Sequence, residues 1–68
     1  MIMEAYQKYG IEVGQVYVLA SGANGSLVVV DVESEATRDE VLVRDTETGE
    51  HWFIDAFKLA RVRYSLVA

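Results

Sequence analysis

The stretch from residue 49 to residue 66 constrains the fold most. Gly49 closes a turn, Glu50 to Ile54 reads as a short strand, residues 55–59 make a second turn, and strict alternation then resumes. In that last run Val62, Tyr64 and Leu66 share one parity, and Arg61, Arg63 and Ser65 share the other. Successive side chains of a strand point to opposite faces, so this is the pattern of a half-buried strand. Apolar runs at 13–20, 27–33 and 40–45 lie upstream and bring the count to five strands. The chain reads as an all-β domain.

Its 68 residues are one domain. A domain of this size buries only about 60% of the surface of its unfolded chain, so its core is thin. There is no cysteine, which excludes disulfides and thiolate zinc sites and fits a reducing, cytoplasmic setting. The remaining routes to stability are a closed barrel or self-association. An apolar content of 51% leans toward a chain with surface to hide. Met1, Ile2 and Met3 are followed at once by Glu4, Gln7 and Lys8, so no apolar signal core is present. No run approaches the roughly 20 apolar residues of a membrane span.

The net charge of −5, from eleven acids against six bases, opposes long-range attraction to nucleic acid. The distribution is uneven. Lys58, Arg61 and Arg63 cluster near the C-terminus, while Glu33, Glu35, Asp39 and Glu40 surround one loop.

Along the chain, Ile2, Ala5, Tyr6 and Tyr9 are spaced as one face of a short helix, and Gly10 stands where a terminating glycine belongs. So short a helix needs something to dock on. Residues 1–10 are thus a helical segment and 11–68 the β domain. The Asn24–Gly25 pair predicts a tight hairpin between the first two strands, since both residues tolerate positive φ. The glycines around it lack the lysine and helix start of a phosphate-binding loop. Thr46 to Gly49 turns strand three into strand four, and the spacing of Asp45, Glu47 and Glu50 is that of a hairpin turn rather than a calcium loop. Asp55 is placed to cap a single helical turn at 56–59, with Phe57 and Leu59 inward.

No arrangement of residues points to catalysis. His51 is the only histidine, sits in a hairpin strand, and has no nucleophile placed beside it. A filled small barrel offers no cleft in which paired carboxylates would act. No catalytic residue, cofactor, metal or small-molecule substrate is expected.

Five strands with a one-turn helix before the last is the order of an SH3-like barrel. The runs Val13–Gly14–Gln15–Val16–Tyr17, Gly25 to Val30, Val41 to Asp45, Thr48–Gly49–Glu50, and Ile54 with Leu59 resemble the KOW and Tudor-type branch of that superfamily over about fifty residues. The chain also resembles short barrels found in bacterial and prophage genomes. The resemblance implies a five-stranded SH3-like barrel that binds peptides, proteins or nucleic acids. RNA-binding KOW domains are basic, whereas this chain is acidic. Tudor domains that read methylated side chains hold an aromatic cage on loops, and no loop here carries two aromatics.

The expected core is Val16, Val18, Val28, Val30, Val41, Val43, Ile54, Leu59 and Val62. Leu27, Val29, Leu42 and Phe53 then have outward parity, and with Tyr6 and Tyr9 they form a candidate surface for a protein partner or a second copy of the chain. Aromatic residues dominate such patches. A nucleic-acid surface made of Lys58, Arg61 and Arg63, the last two on the outer face of strand five, is the alternative.

Overall fold

The computed structural model describes residues 5–19, 25–32 and 39–67. The elements, in chain order, are α1 (Ala5–Lys8), β1 (Val16–Leu19), β2 (Ser26–Asp31), β3 (Glu40–Asp45), β4 (His51–Asp55), a one-turn π-helix (Lys58–Val62) and β5 (Tyr64–Leu66). Ile2, the Asn24 half of the expected hairpin turn and most of the loop at 34–39 lie outside the described residues.

The five strands form one antiparallel sheet in the order β4-β3-β2-β1-β5. The sheet is all-β in class but not closed. β4 and β5 are its two edges, and the π-helix lies between them, in contact with both. The expected strand at 61–66 is shortened because Arg61 and Val62 complete the π-helix and Arg63 caps it, and Tyr64–Leu66 pair with β1 alone.

Local chemistry explains the turns. Ile11 N–H donates to Tyr6 O and Gly10 N–H to Gln7 O, with Gly10 at φ +68°, the paired closure that ends a helix on a left-handed glycine. The residue after that glycine, Ile11, is buried in the core. Between β3 and β4, Asp45 Oδ1 accepts the N–H groups of Glu47 (2.8 Å) and Thr48 (3.0 Å), and Gly49 takes the positive φ that lets the strand resume. Asp55 caps as expected: its Oδ1 accepts from Phe57 N–H (2.9 Å) and Lys58 N–H (3.2 Å).

The core is Ile11, Tyr17, Leu27, Val29, Val41, Val43, Ala56 and Leu59. Strands three and four follow the expected parity, with Val41 and Val43 buried and Ile54 packed against them. Strands one and two are inverted. Tyr17, Leu27 and Val29 face in, while Val16, Val18 and Val28 face out and Val30 is exposed. The cause is a bulge between Val29 and Asp31. Counting back in twos from Val32 reaches Val30 and Val28, but the extra residue moves the inward set to Val29 and Leu27. Register carries the inversion into β1, because Tyr17 stands opposite Leu27. Val62, expected inside, is exposed on the π-helix, and Phe57, also expected inside, is exposed just before it.

The N-terminal segment packs on its own domain. Ala5, Tyr6 and Tyr9 lie against the core. Gln15 ties the segment to β1: its Oε1 accepts from Glu12 N–H and from the Tyr17 hydroxyl, both at 2.9 Å, and its Nε2 donates to Gly10 O at 3.1 Å. No helix among the described residues is long and apolar enough to cross a membrane.

Candidate interaction surfaces

The six candidate interface residues do not form one patch. Leu27 and Val29 are buried at 4% and 1% exposure and are core, which removes them from any surface. Tyr6 and Tyr9 are half-buried against the core side, away from the outward face of the sheet. Only Leu42 and Phe53 stand where the sequence puts them. They are directly opposed across β3 and β4, with Phe53 about half exposed.

These two lie in the middle of an ordered face. Arg44 pairs with His51 at one end of it, Leu42 with Phe53 at the centre, and Glu40 with Asp55 at the other end. Across β2 and β1, Val28 stands beside Arg44 and Val16 beside Val28, at the cationic end, while Asp31 stands opposite Leu42 in the central row. The outward face of β3 and β4 thus runs from cationic through apolar to acidic. Parity identifies Leu42 and Phe53 from the sequence. The outward valines of β1 and β2 are hidden from it by the bulge.

The basic candidates occupy another side of the molecule. Lys58, Arg61 and Arg63 are exposed on or just after the π-helix, so Arg61 and Arg63 are not neighbours on a strand face as the alternation implies. Arg61 lies over the Tyr9 ring at 5.7 Å from its centroid, and Tyr9 meets Phe57 at 5.7 Å between centroids with planes inclined by 56°. Stacking of this kind holds the guanidinium by cation–π attraction. The Tyr17 hydroxyl titrates above the ordinary tyrosine range because burial disfavours its anion, and the Arg61 charge partly offsets that.

A cavity of about 90 Å³ opens where the sheet fails to close. Leu19, Leu27, Trp52 and Tyr64 line it with the aid of Asp45. That Trp52 of β4 and Tyr64 of β5 line one cavity is not legible in the sequence, because it depends on how far the two edges stand apart. Among the described residues no three of His, Cys, Asp and Glu come together as metal ligands would. Comparison with protein-family models, curated proteins and solved structures finds no match.

Proposed function

We propose that the chain is a non-enzymatic protein-binding module of the SH3-like type, acting in the cytoplasm through the outward face of its sheet. The observation that carries this reading is the opposed pair Leu42 and Phe53, an apolar centre bracketed by charge with Phe53 half exposed. Interfaces concentrate aromatic anchors inside a polar rim, and this face has that composition. The meander order with a helical turn between β4 and β5 is the order the SH3-like resemblance implies, and it supports the same class. Fold class alone supplies binding as an activity without naming a ligand. A photo-activated cross-linking residue at position 42 tests the reading. It is expected to capture a protein in cells, while the same probe at position 58 captures none.

A second reading has its own support. Arg61 stacked on Tyr9 beside exposed Phe57, with Lys58 and Arg63 adjacent, combines cations with aromatic faces in the manner of single-strand binding surfaces. Titration with single-stranded oligonucleotides separates the two. Three phosphate contacts give an affinity that falls steeply with salt, whereas the protein-binding reading expects no such affinity.

A further inference from the structure

The edge of β4 has a backbone phase that suits pairing with its own copy. Asp45 N–H donates to Glu50 O at 2.8 Å, and Ala56 N–H donates to Asp39 O at 2.7 Å. Antiparallel ladders alternate between hydrogen-bonded and non-bonded pairs, so these two bonds fix the phase along the whole strand. Trp52 and Ile54 turn their backbone groups toward β3. His51 and Phe53 turn theirs toward the edge, which no described strand occupies, and Asp55 turns its N–H there while its carbonyl opens the helical run. The strand has no proline, lysine or bulge of the kind that protects an exposed edge.

We infer that two copies of this chain associate by antiparallel pairing of β4 with β4, about a two-fold axis at Phe53. This register places Phe53 opposite Phe53 of the second copy, as a hydrogen-bonded pair. His51 then faces the second copy's Asp55, and Asp55 faces the second copy's His51. The backbone groups of His51 and Phe53 and the Asp55 N–H meet their counterparts on the second copy, so the ladder continues from one sheet into the other.

The side chains fit the same operation. On the outward face the Arg44–His51 end of one sheet lies beside the Glu40–Asp55 end of the other, and the two Leu42–Phe53 pairs meet at the centre. On the opposite face Trp52 falls beside Ile54 of the second copy. A two-fold interface must be self-complementary, and a face that runs from cation through apolar to acid is so when it is turned against itself. Electrostatic fit of this kind fixes register and excludes wrong partners. The inference rests on the protein-binding reading and names the partner as the chain itself.

Absence of native cysteine makes the register directly testable. Hydrogen-bonded antiparallel pairs hold their Cα atoms about 5.5 Å apart, within the span of a disulfide. Mild oxidation of Phe53→Cys is expected to give a covalent dimer, and oxidation of Leu42→Cys, one strand further from the axis, is expected to give none. In sedimentation equilibrium, His51→Asp is expected to weaken the dimer at least ten-fold by setting two acids opposite each other, and His51→Arg to leave it as tight or tighter. A wild type that remains monomeric at millimolar concentration overturns the inference. So does a dimer that cross-links through position 42 and not through 53. Either result leaves the protein-binding reading to stand or fall on the capture experiment at position 42.

Discussion

Leu42 and Phe53 face each other across β3 and β4 on the side of the sheet turned away from the core. Their pair lies between the hydrogen-bonded pairs of the ladder, the positions at which opposed side chains approach most closely. Cross-strand pairs of this kind contribute roughly 0.2–1 kcal/mol. The double substitution Leu42→Asp with Phe53→Asp should therefore cost the monomer little in urea unfolding and abolish association in light scattering. A large loss of stability with association intact would show that the face is structural.

Leu59 is wholly buried beneath the sheet, whereas Val62, three residues on, is half exposed. Leu59→Ala should cost about 2–5 kcal/mol, a large part of the stability of a small domain. Val62→Ala and Val30→Ala should each change stability by no more than about 0.5 kcal/mol. Denaturant midpoints of the three variants give the comparison.

Asp55 anchors the helical run by accepting two backbone N–H groups through one oxygen. Asp55→Ala should lower stability by about 0.5–2 kcal/mol, and Asp55→Asn should recover most of that, since either side chain presents an acceptor oxygen. Thermal unfolding of the two variants is the measurement. Equal losses would mean that the charge rather than the geometry matters.

Tyr17 gives the domain an alkaline limit. Its folded-state pKa is raised, chiefly by burial, so its neutral form is favoured in the folded chain. The folded state then binds the phenolic proton more tightly than the unfolded one. Stability from this group is complete below the unfolded pKa and is lost as pH rises through the folded one. Tyr17→Phe should be less stable at neutral pH, through loss of the hydroxyl's bond to Gln15, and should show a shallower decline above pH ~10. Parallel slopes for the two proteins would remove Tyr17 as the cause.

Much of this fold is legible in the sequence, because turn chemistry and strand alternation are local. Gly10, the Asp45–Gly49 turn, the Asp55 cap and the parity of β3 and β4 follow from neighbouring residues alone. The inward set of β2 does not. Leu27 to Val30 is apolar on both parities, so the reading borrows its phase from Val32, across a bulge that no glycine marks. The sequence also reads Arg61, Val62 and Arg63 as strand, since three alternating residues fit the end of a wide helical turn equally well. The apolar surface inherits the first error and the basic surface the second. Leu42 and Phe53 survive because their strands are regular, and Leu27 and Val29 fall because theirs is not.

The bulge has a consequence for shape. On either side of Val30 the ladder is in step: Val29 meets Val43 and Asp31 meets Leu42, with Val30 having no counterpart on β3. As far as pairing goes, Val30 is supernumerary. A chain without it would keep every partner on β3 and regain simple alternation from Ser26 to Val32. What it would lose is the added twist a bulge imparts. Val30 thus serves the twist of β2 rather than its pairing, and a single-codon deletion is expected to flatten the sheet locally while leaving the partners of β2 on β3 as they are.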